Sequence, residues 1–288
     1  MKYMTYPSPL RYPGSKKKLI GFIQDVIKAN DLLGGTYVEP FAGGASVALY
    51  LLYSEYVNTV IINDIDRSIY AFWFSVLNDT ENLCRLIKDT AVSVEEWDKQ
   101  RKIQDQKEES NYLELGFSTF YLNRTNRSGI IKGGIIGGRG QTGKWKIDCR
   151  YNKDDLIKRI EKVALYANRI ELHNQDAIEF VTSITPAFNQ NTFIYFDPPY
   201  YNQGAALYAN FYTHESHKQL SEFIYGLNCK WMLTYDYTPD IVALYSKVEK
   251  RLLTLSYTAA QKVKGCEMIA FCDGLRIPEG RYSAVTIE

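Results

Sequence analysis

Residues 36–53 read TYVEPFAGGASVALYLLY. Tyr37-Val38 belongs to a short β-prone run, Pro40 with Gly43 and Gly44 makes a turn, and Ala45 to Tyr53 is a run of good helix formers. The order strand, glycine loop, helix then recurs. Val57 to Asn63 (VNTVIIN) is a β-branched run of buried-strand type ended by Asp64, and IDRSIYAFWFSVL carries apolar residues at helical spacing. Two successive units of this kind begin a parallel sheet wound on both faces, so the fold class is α/β.

Working outward, the rhythm breaks after residue 79. Residues 80–116 read as polar helix, with Glu95, Glu96, Lys99, Arg101, Lys102, Asp105 and Lys107 mostly on a solvated face, and residues 117–150 show no long apolar period. From Asn152 the pattern resumes: a helix (DDLIKRIEKVALYANRI), a strand (RIELHN), a short helix from about Asp176, a strand (TFIYF), a helix after His214 and a strand (CKWMLTYD). LLTLSY, MIAFC and YSAVTIE read as closing strands, antiparallel at one edge. The expected organisation is one sheet domain, 1–79 and 151–288, interrupted by an insertion at 80–150.

Composition agrees with that scale. The chain has 288 residues, 45% hydrophobic and 23% charged, enough for one large domain with a real core. Lys and Arg number 34 against 33 Asp and Glu, so bulk charge announces neither a nucleic acid nor a membrane. Tyrosine is in excess: 23 residues, about 8% against roughly 3% in an average chain. The five cysteines are scattered without CxxC spacing, which points to a reducing compartment. With no apolar leader-like core and no stretch long enough to span a bilayer, the expectation is a soluble, cytoplasmic protein.

Three stretches carry chemistry. EPFAGG is either a ligand loop or merely a tight strand–helix turn. Asp64 follows Gly43 at about the 20-residue spacing of a ribose-binding acid, and the absence of GxGxxG favours an adenosine ligand without phosphates. Asp197-Pro198-Pro199-Tyr200 directly follows TFIYF, at the carboxyl edge of the sheet. Proline offers a carbonyl but no N–H and forces its predecessor to extend, so the loop presents a stiff pair of acceptors, suited to an amino group, beside an aromatic face for a base. From Arg124 to Lys153, the basic residues Arg124, Arg127, Lys132, Arg139, Lys144, Lys146, Arg150 and Lys153 face a single acid, Asp148, and Gly129 to Gly143 holds seven glycines. Such a segment suits a polyanion, and its flanks TFYLNR and KWKIDCRYN suggest a hairpin. His214 and His217 lack a third ligand and read as capping or packing residues rather than a metal site. Cys266 and Cys272 could meet in a hairpin but read as free thiols.

The combination RYPGSK, EPFAGGASV, IINDID, FYLNRTNRSG, NQDA and FDPPYY resembles the Dam-type (D12 class) DNA adenine-N6 methyltransferases, in family order from Arg11 to Tyr200 and onward into LYANFYTHESH and WMLTYD. The resemblance implies a Rossmann-like S-adenosylmethionine-dependent methyltransferase sheet with helices on both faces and an inserted target-recognition subdomain. It implies S-adenosylmethionine bound by Tyr12, Lys16, Glu39, Phe41, Ala42, Gly43, Asp64, Asp176 and Asp197. It also implies catalysis by Asp197, Pro198, Pro199 and Tyr200, and contact with double-stranded DNA through Arg124, Asn126, Arg127, Lys132, Arg139 and Lys144. The implied reaction is direct transfer to the N6 amino group of a flipped adenine, with a restriction endonuclease as a cellular counterpart. An RNA adenine-N6 methyltransferase would use the same site, and a catalytically silent DNA-binding protein is the non-enzymatic alternative. A nicotinamide oxidoreductase shares the glycine loop and Asp64 but has no use for DPPY. RTNRSGIIKGGIIGGRGQTG departs from the family hairpin beyond its Asn-Arg and Gly elements, so no recognition sequence follows.

Overall fold

The computed structural model describes residues 7–12, 14, 16–201, 212–255, 265–279 and 285–287. Pro13 and Ser15 of RYPGSK, residues 207–211 of LYANFYTHESH, and parts of LLTLSY and YSAVTIE lie outside them.

The sheet has eight strands: β1 (Gly35–Glu39), β2 (Val57–Asn63), β3 (Ile170–His173), β4 (Thr192–Phe196), β5 (Lys230–Asp236), β6 (Lys250–Leu255), β7 (Gly265–Phe271) and β8 (Val285–Ile287). Their order is β3-β2-β1-β4-β5-β7-β6-β8. The first five pair in parallel. The last three pair antiparallel and close one edge, as the sequence suggests. This is the Rossmann-like α/β architecture.

Residue alternation shows why both faces are covered. Tyr37 of β1 and Phe193 and Tyr195 of β4 pack into one apolar layer, while Val38, Ile194 and Phe196 pack into the other, so TFIYF is buried along its whole length. Helices α1 (Ile20–Ala29), α2 (Ser46–Tyr53) and α3 (Arg67–Asn78) serve the first layer.

The region after residue 79 differs from its sequence reading. It forms α4 (Thr80–Asp89), α5 (Val94–Asp105) and α6 (Tyr112–Thr125), and α6 is buried from Leu115 to Thr125. Its apolar period is hidden because its buried polar side chains find backbone partners within α6 and on α5. Ser118 Oγ donates to Gln100 O (2.7 Å), Thr119 Oγ1 to Leu115 O (2.7 Å) and Thr125 Oγ1 to Tyr121 O (2.8 Å). Gly116 lets α6 cross α3 closely, since a Cβ there would lie 2.5 Å from Ser75 Oγ and 2.6 Å from Ala71 O. TFYLNR is thus helix, and the expected hairpin shrinks to one antiparallel bridge, Asn126 with Ile135. Beyond it run α7 (Lys153–Ala164), α8 (Ala177–Ile184), α9 (His214–Tyr225) and α10 (Pro239–Leu244). Cys266 lies on β7 and Cys272 just after it on the same run of chain, so they do not face each other across a hairpin, and both are free thiols. Among the described residues no helix is long and apolar enough to cross a membrane.

Candidate active site

β1 leads away to β2 on one side and β4 to β5 on the other, so strand order reverses between them. The crevice outside their carboxyl ends is where an open α/β sheet binds ligands. EPFAGG leaves β1, DPPY leaves β4, and residues of both line one cavity with Tyr12, Lys16, Asp64 and Tyr195.

On the glycine-loop side, Gly43 has φ +46°, and a Cβ there would lie 2.5 Å from Tyr12 Cε1, so the bare backbone packs against that ring. Gly43 N donates to Asp64 Oδ2 and Asp66 N to Asp64 Oδ1, both at 2.9 Å. Each oxygen keeps capacity for a further donor, such as a sugar hydroxyl. Burial first, and the Asp66 charge second, push the Asp64 carboxyl up to about 7. Glu39, at the end of β1, is 5% exposed, and its Oε1 accepts from Tyr37 Oη and Ala48 N at 3.1 Å each. Burial drives it up to about 8. Phe41 and Tyr212 meet edge to face at 5.9 Å. Asp176, as expected, begins α8, with Oδ1 accepting from Ile178 N at 2.8 Å, and its charge and that of Asp64 act on the hydroxyl of the half-buried Tyr212.

On the DPPY side, Asp197 Oδ1 accepts from Lys16 Nζ (2.6 Å) and Thr234 Oγ1 (2.9 Å). The Thr234 proton is committed there, so Tyr195 Oη donates to Thr234 Oγ1 (2.7 Å). Lys16, with 2% of its side chain exposed, also reaches Tyr200 Oη (3.2 Å) and Glu267 Oε2 (3.6 Å). Burial would strip its proton, but Asp197 and Glu267 hold it well above the ordinary lysine value. The expected cofactor contact Lys16 therefore lines the cavity with its ammonium seated on Asp197. Tyr200, expected as a stacking face, has its hydroxyl bound to Glu267 Oε1 (2.6 Å). Pro198 is buried and Pro199 lines the cavity.

The residues expected at DNA divide. Arg127, Lys132, Arg139 and Lys144 are exposed, with Arg139 forked onto Asp98 at 2.8 Å. Arg124 and Asn126 are not surface residues. Arg124 is 7% exposed and donates to Pro9 O. Asn126 is fully buried, its amide donating to Ile130 O (3.0 Å) and Ile131 O (2.8 Å) and accepting from Trp97 Nε1 (2.6 Å). Both fasten the glycine-rich loop and the amino-terminal segment to α6. Tyr121 is also buried away from the cavity, its hydroxyl donating to backbone at Ala91 and Ser93. His217 is buried with Nδ1 against Tyr235 Oη (2.6 Å), and burial lowers it to about 4, which leaves it a neutral packing residue.

Several site residues escape the sequence reading. Asn63 ties three loops, its amide donating to Pro40 O and Gln175 O and accepting from Gln175 N, all at 3.0 Å. IINDID and NQDA contain both ends of that tie. Thr234 lies inside the quoted WMLTYD, and Tyr212 inside LYANFYTHESH. Glu267 has no signal in its surrounding residues.

The sequence model described as D12 class N6 adenine-specific DNA methyltransferase matches residues 12–260. Type II methyltransferase M.MjaIII of Methanocaldococcus jannaschii is 25% identical over 207 residues, covering 66% of this chain and 68% of that one. Modification methylase LlaI of Lactococcus lactis subsp. lactis is 39% identical over 74 residues, 26% of this chain and 11% of that one. With the family match spanning most of the chain and its motifs gathered in one crevice, this protein belongs to the D12 class N6 adenine-specific DNA methyltransferase family.

Proposed function

We propose that the protein transfers a methyl group from S-adenosylmethionine to the N6 amino group of an adenine flipped out of double-stranded DNA. The observation that carries this is the shared cavity: Asp197, the amine-binding carboxylate, stands in the same crevice as the glycine loop, Glu39 and Asp64.

The donor set fits S-adenosylmethionine. The buried Glu39 and half-buried Asp64, both with raised pKa values, favour a ligand that brings positive charge and hydroxyl donors, and the Phe41–Tyr212 pair beside Asp176 suits an adenine ring. When bound, that group supplies a methyl on a positive sulfur, already activated for transfer. The protein's task is then orientation and electrostatic preorganisation. Asp197 and the Pro198 carbonyl accept the two N–H bonds of the target amine, and Thr234, backed by Tyr195, fixes the Asp197 carboxylate. Flipping costs a few kcal/mol, offset by stacking and hydrogen bonds in the pocket.

The insertion at 80–150 serves target recognition in this reading. Its exposed Arg127, Lys132, Lys144, Lys146 and Arg150, with the exposed indole of Trp145 under Lys144 Nζ (5.6 Å), suit a phosphate backbone and bases. Both substrates are cytoplasmic, and the name of the Lactococcus relative supports a paired restriction endonuclease. Asp197→Ala tests the assignment: transfer of labelled methyl to duplex DNA should vanish in a protein whose circular dichroism is unchanged, and a near-normal rate would refute it. Modification-sensitive sequencing of plasmid exposed to the wild type reports base and site together.

A further inference from the structure

The acceptor half of the site holds one carboxylate more than binding an amine requires. Glu267 comes from the antiparallel strand β7, between β5 and β6 and beyond the stretch matched by the family model, which ends at residue 260. Its side chain is 7% exposed. The β5–β7 register sets it opposite Asp236, whose Oδ1 accepts from Tyr201 N at 2.9 Å. The paired strands β5 and β7 thus bring two acids behind the DPPY loop, Asp236 for Tyr201 and Glu267 for Tyr200.

An amino group arriving at Asp197 finds one oxygen of that carboxylate already engaged twice. Lys16 and Thr234 both bond Oδ1, and the 2.6 Å contact from Lys16 is a short, charge-assisted one. Lys16 has only 2% of its side chain exposed. Its other anionic neighbour is Glu267 Oε2, 3.6 Å away, a buried oxygen without a hydrogen bond. Movement of about 1 Å would turn that ion pair into a charge-assisted hydrogen bond. Glu267 Oε1 meanwhile holds the Tyr200 hydroxyl at 2.6 Å, so the new position stays aligned with the loop that flanks the target base. No proton changes hands: Lys16 remains an ammonium throughout, moving between Asp197 and Glu267.

We propose that Glu267 is a positioning residue that takes the Lys16 ammonium from Asp197 as the target amino group docks, while anchoring Tyr200. This rests on the reading of Asp197 as the amine-binding carboxylate. Glu267→Gln tests it, since glutamine keeps the size and an acceptor for Tyr200 but not the charge that receives Lys16. The single-turnover methylation rate should fall at least about tenfold, with affinities for S-adenosylmethionine and duplex DNA within about twofold of wild type. Fluorescence of 2-aminopurine at the target position should rise on binding as it does with wild type, because extrusion precedes the handover. In a Lys16→Gln background the same substitution should cost less than about threefold further, there being no ammonium to receive. A rate for E267Q within about twofold of wild type, an equal loss with and without Lys16, or a parallel loss of ligand affinity would each overturn the proposal. A wild-type protein that methylates no duplex DNA would instead overturn the function on which it stands.

Discussion

Replacing Glu39 by glutamine is expected to stabilise the protein and weaken its hold on the methyl donor, with a stabilisation that grows with pH. Glu39 is buried at the end of β1, and burial drives its carboxyl from 4.5 up to about 8, against the opposing hydrogen bonds from Tyr37 and Ala48. Because the folded state holds this proton more tightly than the unfolded chain, the group's contribution is whole below pH 4.5 and is lost as pH rises to about 8. At about 1.36 kcal/mol per pH unit, the loss reaches roughly 3 kcal/mol at pH 7 and roughly 5 kcal/mol at pH 9. Glutamine keeps the acceptor oxygen facing Tyr37 and Ala48 and removes the ionisation. Urea unfolding should therefore show E39Q within about 1 kcal/mol of wild type at pH 5, about 3 kcal/mol more stable at pH 7 and about 5 kcal/mol more stable at pH 9. Calorimetric titration with S-adenosylmethionine at pH 8 should show an affinity loss of about tenfold or more, the worth of one charge-assisted contact. A stability difference independent of pH would refute the buried ionisation. Unchanged affinity would refute the role in donor binding, and the expected combination is the usual opposition between stability and a functional buried charge.

Asp64, pushed up to about 7 mainly by burial, ionises across neutral pH. Affinity for S-adenosylmethionine should therefore rise from pH 6 to pH 8 in wild type and rise less in Asp64→Asn, as calorimetry at each pH would reveal. Lys132→Ala and Lys144→Ala should each weaken duplex binding and reduce the slope of log affinity against log salt by about 1 in fluorescence titrations. Arg124→Ala should instead lower the thermal midpoint by several degrees, because it removes a buried side chain that holds the Pro9 carbonyl.

What could be read from the residues was what repeats locally. The runs ending in EPFAGG and DPPY place strand, loop and helix within a few residues of one another, and β1 and β4 form where Tyr37-Val38 and TFIYF predict them. The basic loop was harder because residue type is a poor guide to exposure when polar groups have partners. Arg124 and Asn126 look like surface residues in NRTNR, yet α6 buries both against backbone carbonyls more than a hundred residues away or four to five residues on. Glu267 was hidden for a different reason. Its partners Lys16 and Tyr200 are distant in sequence, and only the antiparallel turn-back of β7 beside β5 brings it to them.

The tyrosine excess acquires a physical meaning from the same geometry. Glu39 is held by Tyr37, Glu267 by Tyr200, and Asp197 by Thr234, which Tyr195 supports in turn. Burial raises the pKa of all three phenols, so each stays neutral and donates a hydrogen bond without adding charge. The rings also fill the apolar layer between sheet and helices, as Tyr37 and Tyr195 do. A tyrosine thus meets both demands of the crevice: packing against the sheet, and holding a carboxylate in position without adding a charge of its own. On this reasoning Tyr195, although it need not touch either substrate, belongs to the machinery through Thr234, and the excess of tyrosine in the composition is partly the scaffold of the buried negative charge.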